Sequence, residues 1–351
     1  MPFGTVIEID GSVGEAGGQI LRTACALSAI TKKPCRVFNI RKSRPKPGLM
    51  PQHLLGIRAL SQLCSGRLEG DSLGSEEIKF YPGPIGMPSA SYGVKEIKIK
   101  IETAGSITLV LQTLIPPALF GPEPVKINFE GGATDTFFSP SIDYFRYVFL
   151  KILEKMGVKV EIDILKRGYY PEGGAKVKVN IYPSKIKNLN LTERGALKKI
   201  LLISGASNQL KDKKVAERQV AGVREILGKL KLPIEEKIEY YETLCPGSQI
   251  CLIAEFNNTI IGADNLGKLG KKAEDVGRET ASELLEEQKF EVCLDRYLTD
   301  QILPYLALAE EKSSVTVSEI TGHCKTNIWV IEKFKDGKFK TEGNLISWLP
   351  K

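Results

Sequence analysis

The 351-residue chain reads as an α/β (α+β) protein built from three repeated βαβαββ units, with a smaller α/β domain inserted before the last unit's helices. Three observations lead there. Short alternating strands run into helices through glycine- or proline-containing turns. Two of these transitions look alike, Gly17-Gly-Gln-Ile-Leu21 and Gly105-Ser-Ile-Thr-Leu109, each after a short strand, as an internal repeat requires. Between about 186 and 285 that glycine-opened pattern lapses and an α/β texture of its own takes over.

Element by element, Thr5–Ile9 alternates as a strand, and Gly14-Glu-Ala-Gly-Gly18 opens a helix with Ile20, Ala24, Leu27 and Ile30 on one face. Val37–Ile40 is a second strand, and a basic turn leads to a helix over Gln52–Cys64 with Leu54, Ile57 and Leu60 inward. The second unit starts with the alternating Ile97–Ile101 strand, and Thr103-Ala-Gly-Ser106 opens a helix over Ile107–Ile115. It continues with a strand over Val125–Phe129, a helix over Ser141–Met156 and a hairpin, Val158–Ile164 with Ala175–Ile181, around the turn-forming Gly168-Tyr-Tyr-Pro-Glu-Gly-Gly174. The third unit includes a helix over Leu298–Ala309, a strand over Ser314–Ile320 and a short helix through Ile328, Val330, Ile331 and Phe334, capped by Thr326 or Asn327. The insert holds strand Ile200–Ile203, helix Val215–Leu230, strand Gln249–Phe256 and helix Ala273–Gln288. The expected division is 1–185 with 286–351 for the large domain and 186–285 for the insert.

Composition is that of a soluble globular protein, 42% hydrophobic and 26% charged, and no apolar run reaches the ~20 residues of a membrane span. With no signal peptide evident ahead of the first strand, a cytoplasmic location is expected. Net charge is +7, and Arg36, Arg41, Lys42, Arg44 and Lys46 fall in one stretch, which suits a polyanion but also suits a solvated loop. The seven cysteines form no CxxC pair and only two histidines are present, His53 and His323, which speaks against a zinc site.

Three segments carry candidate chemistry. Gly11-Ser-Val-Gly-Glu-Ala-Gly-Gly-Gln-Ile-Leu-Arg22 places glycines at a helix start, where backbone approaches an anion; Glu15 is a candidate metal ligand and Arg22 a phosphate contact. It is neither a Walker A loop nor a Rossmann fingerprint. Arg41-Lys-Ser-Arg-Pro-Lys-Pro-Gly-Leu-Met-Pro-Gln-His53 is a proline-stiffened basic turn, with His53 either meeting the same anion or capping the helix. Arg296-Tyr-Leu-Thr-Asp-Gln301 sets an aromatic and an acid on a helix start, fit for a base and a ribose hydroxyl or simply for an amphipathic helix. His323 sits on the strand-to-helix connection Thr321–Ile328, where folds present reactive groups, and imidazole attacks phosphorus without prior deprotonation.

Ile9–Arg22, Lys46-Pro-Gly-Leu-Met-Pro-Gln-His53, Tyr297-Leu-Thr-Asp-Gln301 and His323-Cys-Lys-Thr-Asn-Ile328 together resemble the RNA 3′-terminal phosphate cyclase family, in its catalytic archaeal and bacterial form. Gly267-Lys-Leu-Gly270 and Ala273-Glu274 match the same pattern, so the likeness runs nearly end to end. The departures, Ala16 where glycine is common and Thr299 where alanine is usual, are mild. The resemblance implies three βαβαββ units like the C-terminal domain of translation initiation factor 3. It implies a ligase-class enzyme that uses ATP to convert an RNA 3′-phosphate to a 2′,3′-cyclic phosphate, through an adenylyl-histidine on His323 and an RNA adenylate, releasing pyrophosphate and AMP. His323, Arg22 and Glu15 are the implied catalytic residues. Gln112, Tyr297, Leu298, Thr299, Asp300 and Gln301 would hold adenosine. Arg41, Arg44, Gln52 and His53 would hold phosphates, and Glu15 a Mg2+ or Mn2+ ion. Every motif of nucleotide chemistry lies outside the insert, which is therefore expected to hold none of the groups needed for histidine adenylylation. The implied partners are ATP and RNA, with no membrane; oligomeric state, a homodimer included, is left open. Cyclase-like ribosome-assembly factors without catalysis lack the histidine, and enolpyruvate transferases share the unit but none of these motifs.

Overall fold

The computed structural model describes residues 5–86, 95–228 and 233–351. The first unit is β1 (Ile7–Asp10), α1 (Gly18–Thr31), β2 (Cys35–Phe38), α2 (Pro51–Leu63), β3 (Arg67–Glu69) and β4 (Ile78–Tyr81). Its sheet order is β1-β2-β4-β3, with β1 and β2 parallel and the other pairs antiparallel. The second unit repeats this: β5 (Lys95–Ser106), α3 (Ile107–Ala118), β6 (Val125–Ala133), α4 (Ile142–Tyr144), a π-helical turn over Phe145–Phe149, α5 (Leu150–Lys155), β7 (Val160–Lys166) and β8 (Lys176–Ile181), in order β5-β6-β8-β7. The turn Gly168–Gly174 closes the β7–β8 hairpin as its glycines and proline suggest.

A two-residue strand, β9 (Asn190–Leu191), starts the third sheet, and the chain then leaves it. β10 (Leu197–Ser207), α6 (Val215–Leu227), β11 (Ile234–Tyr241), β12 (Ser248–Phe256), β13 (Ile260–Leu266) and α7 (Ala273–Gln288) form a fourth sheet, in order β11-β10-β12-β13, with both helices on one face. The part of α6 expected to extend to Leu230 falls outside the described residues. The third sheet resumes with α8 (Arg296–Leu308), β14 (Ser313–Thr316), α9 (Gly322–Phe334), β15 (Gly337–Glu342) and β16 (Leu345–Pro350), in order β15-β16-β14-β9. Three of the four sheets among the described residues thus share one strand order.

Ile186, Leu189 and Leu191 are buried in the large core, and Asn190–Leu191 pair with β14. At the far end α7 ends at Gln288, as its pattern suggests. The larger core joins α1, α2, α3, the α4–α5 segment, α8 and α9, and a separate apolar cluster lies between the fourth sheet and α6 and α7. Gly222 and Gly277 let those two helices touch, since a Cβ on either would lie 2.0 Å from a backbone oxygen of the other helix. The other face of the fourth sheet lies on the large core, to which Ile203, Cys251 and Ile253 belong. All seven cysteines are buried as free thiols. Among the described residues no helix is long and apolar enough to cross a membrane.

Candidate active site

Two helix starts converge on one point. Asp10 Oδ1 accepts from Ser12 N at 2.9 Å, Ser12 Oγ at 2.7 Å and Asn39 Nδ2 at 3.1 Å, which fixes the turn after β1. The chain then enters α1 from Gly17 in extended conformation, with no side chain capping the first N–H groups. α9 begins at Gly322 with Thr321 as its cap, Thr321 Oγ1 accepting from Cys324 N at 3.2 Å. The expected cap at Thr326 or Asn327 is therefore corrected, and His323 lies in the helix's first turn instead of ahead of it. A Cβ on Gly17 would stand 3.4 Å from Arg44 Nη2 and 3.8 Å from His323 Cε1. One on Gly322 would stand 2.2 Å from Glu15 Oε1, and one on Gly18 would stand 2.1 Å from His53 Nε2. Bare backbone at these starts admits the side chains around it, and two helix N-termini facing one point favour an anion there.

Gln19 holds the histidine. Its Oε1 faces His323 Nδ1 at 2.9 Å while its Nε2 donates to Asp300 Oδ2. With the amide nitrogen turned to Asp300, the proton between Gln19 and His323 belongs on Nδ1, so Nε2 keeps its lone pair. Burial, with Arg22 and Arg44 nearby, holds His323 below the ordinary imidazole value against the pull of Glu15. Burial lifts Asp300 to about 7 and presses Arg22 down to about 10, each opposed by the other's charge; Arg22 stays cationic at neutral pH. Thr23 Oγ1 donates to Asn327 Oδ1 at 2.7 Å and Asn327 Nδ2 to Asp300 O at 2.7 Å, locking α1, α8 and α9 together. Burial first of all pushes the Cys324 thiol up to about 12, which keeps it protonated at neutral pH.

The remaining expected residues divide. Arg44 donates to Glu15 O at 2.8 Å and lies 3.9 Å from Glu15 Oε2, at the mouth of the site. Arg41 turns back on its own loop, Nη1 donating to Lys46 O at 2.6 Å and Gly48 O at 3.2 Å. Arg36 is removed from the basic cluster by ion pairs to Glu8 at 3.0 Å and Glu77 at 2.7 Å. His53 does cap its helix, Nδ1 accepting from Met50 N at 3.3 Å, which leaves the Nε2 proton facing Gly18. Burial, Arg22 and Arg41 bring it down to about 3, so it is a neutral donor. Gln52 Oε1 accepts from Ser106 N at 3.4 Å, bracing the start of α3. Gln112 Nε2 donates to Gln301 Oε1 at 2.8 Å, and Gln301 Nε2 to Tyr297 O at 2.7 Å, so these two sit with the half-exposed Tyr297. Leu298 and Thr299 are fully buried on the core side of α8, and Thr299 Oγ1 donates to Asp295 O at 2.8 Å.

Gln19 is the residue that sequence reasoning missed. It stood inside the glycine-rich motif, but nothing in a linear pattern signals a partner 304 positions away. The fourth sheet also reaches the site. Burial and the neighbouring Glu283 carboxylate of α7 push the Tyr297 hydroxyl's pKa up, Arg296 is ion-paired to Glu287, and Gly262 N donates at 3.1 Å to Asp295, the cap of α8.

Among the described residues no three His, Cys, Asp or Glu side chains gather into a metal cage. A single carboxylate at Glu15 beside the anion site fits a magnesium-like ion, which is commonly held by one or two carboxylates plus substrate phosphates.

The model of the RNA 3′-terminal phosphate cyclase family matches residues 13–341. Proteins named RNA 3′-terminal phosphate cyclase are similar over nearly the whole chain: 46% identical in Thermococcus kodakarensis, covering 97% of this chain and 95% of that one, and 45% identical in Pyrococcus abyssi, covering 97% and 96%. A third, from Pyrobaculum neutrophilum, is 42% identical over 96% of this chain and 95% of its own. The chain belongs to the RNA 3′-terminal phosphate cyclase family.

Proposed function

We propose that this protein converts RNA 3′-phosphate ends to 2′,3′-cyclic phosphates at the expense of ATP. The observation that carries the reading is the Asp300–Gln19–His323 chain, which leaves one imidazole nitrogen unprotonated among the arginines. His323 Nε2 attacks the α-phosphorus of ATP, forming a P–N bond as pyrophosphate leaves. An oxygen of the RNA 3′-phosphate then takes the adenylyl group and frees the histidine. The adjacent 2′-hydroxyl attacks the activated phosphorus, expelling AMP and closing the ring. A phosphomonoester lacks a leaving group, which adenylylation supplies, and the ribose itself holds the 2′-hydroxyl in place. That requirement selects RNA over DNA.

Arg22, Arg44 and His53 Nε2–H would neutralise phosphate charge, Tyr297 would stack on adenine, and Gln112, Asp300 and Gln301 would set the position of that ring and its ribose. Arg41 and Gln52 would act by holding the basic turn and the start of α3. A divalent ion at Glu15, magnesium or manganese, would supply charge neutralisation for the triphosphate. The shared sheet order supports three units like the C-terminal domain of initiation factor 3. It supports a large domain of 1–191 and 289–351, with an inserted domain over about 192–288. A cytoplasmic setting suits an ATP-consuming RNA enzyme.

Intact mass after incubation with ATP and magnesium tests this: one AMP per chain is expected, lost in warm acid and kept in alkali, as a P–N bond behaves. His323→Asn should take no AMP and should still cyclise RNA ends supplied already adenylylated. Labelling that persists in that variant would move the nucleophile elsewhere.

A further inference from the structure

The seam between the second unit and the inserted sheet holds a cavity of about 290 Å³ whose walls include Asp135, Phe137, Tyr170, Ser248, Lys268 and Leu269. Three features of it have no use in packing. The rings of Phe137 and Tyr170 meet edge to face at 5.6 Å, yet the two residues remain 39% and 56% exposed. Phe138 beside them is wholly exposed and has φ +62°, a left-handed backbone that a bulky residue adopts only under constraint. A cluster of solvent-facing rings of this kind marks a binding surface more often than a fold requirement.

The second feature is Asp135. Its Oδ2 accepts from Thr134 Oγ1 at 2.6 Å and Arg167 Nη1 at 3.2 Å, but Oδ1 is buried with no hydrogen-bond partner. A buried oxygen without a donor is costly, so a donor is expected to reach it. The third is charge. Lys268 lines the cavity and Lys272 follows at the cap of α7, both exposed and outside every ion pair among the described residues.

Rings, a buried acceptor and unpaired cations are the groups that receive a single nucleic-acid strand. Bases stack on the aromatics, an exocyclic amine donates to the carboxylate, and lysines track the phosphates. We propose that this seam binds the RNA substrate upstream of its 3′ end, with a nucleobase against Tyr170 and Phe137 and the strand's backbone along Lys268. The inference rests on the cyclase reading for its choice of ligand. It assigns the inserted sheet one wall of the RNA path.

The test uses the full chain, a short single-stranded RNA ending in a 3′-phosphate, and fluorescence anisotropy. Tyr170→Ala should weaken RNA binding about tenfold, the loss of one stacked base. Lys268→Ala should weaken it severalfold and flatten its salt dependence. Both residues are exposed, and both variants should take AMP from ATP at the wild-type rate. Unchanged RNA affinity in Tyr170→Ala overturns the proposal. So does a fall in AMP transfer, which would give the cavity to ATP. A wild-type protein that binds RNA through Tyr170 but never accepts AMP would instead overturn the cyclase reading and leave this one standing.

Discussion

Gln19 is held between an acid and the candidate nucleophile, and its amide, unlike a carboxylate, cannot take a proton from the imidazole it faces. Its effect is orientation and tautomer choice rather than acid–base chemistry. Gln19→Met keeps the volume and loses both hydrogen bonds, so AMP transfer should slow on the order of 10²-fold with little change in KM for ATP. A change confined to KM would make Gln19 a nucleotide contact instead. The pH profile reports on the same ring. Only neutral His323 has a lone pair to offer, and its folded pKa is depressed, so the reactive form persists to lower pH than a free imidazole allows. The limb of the single-turnover AMP-transfer profile that belongs to His323 should have its midpoint below about 6.5, the ordinary imidazole value. A midpoint at or above it would show that burial and the arginines do not govern this ring.

Helices α1 and α9 bring their first turns together, and each starts on glycine backbone so that Arg44, His53 and Glu15 fit against it. Glycine does different work where α6 crosses α7. There Gly222 and Gly277 face one another's helix, and no side chain fits between the backbones. Gly277→Ala gains helix propensity, but its Cβ must move Gln219 O. Stability to urea should therefore fall by about 1–3 kcal/mol, while AMP transfer at moderate temperature is unchanged, because neither helix start carries the nucleophile. A more stable variant would mean that the crossing relaxes without cost.

The inserted sheet is packed between its own helices and the large core; β13 meets α8 at Asp295, and α7 meets it at Arg296 and Tyr297. A chain in which residues 192–288 are replaced by a short linker should therefore lose AMP labelling even where the remainder folds. Glu283→Leu is the milder form of the same test. Without that neighbouring carboxylate Tyr297 is less firmly placed, and KM for ATP should rise about tenfold. A linker-replaced chain that folds and labels normally would show that the large domain completes the nucleotide site alone.

Much of the fold was legible in the sequence, because the strand and helix periods, the glycine-opened turns and the caps are local signals. The helix at Ile107 with Ser106 as its cap, α7 over Ala273–Gln288 and the β7–β8 hairpin all follow from neighbouring residues. So do the motifs that point to His323, Arg22 and the basic turn. Short strands such as β3 and β9 carry too few residues to show a period, and the sequence reading did not contain them. What a side chain meets across space was not legible. Arg36 and Arg44 look alike in a basic run, yet Glu8 and Glu77 claim the first while Gly17 leaves room for the second beside His323. Leu298 and Thr299 read as part of a binding motif, and the pitch of α8 turns them into the core. Sequence alone determined which elements form and which residues are chemically able to react. Only the tertiary structure decided which of them meet, because the pairing of Gln19 with His323 and of Glu283 with Tyr297 depends on how whole helices pack, and no local pattern encodes that contact.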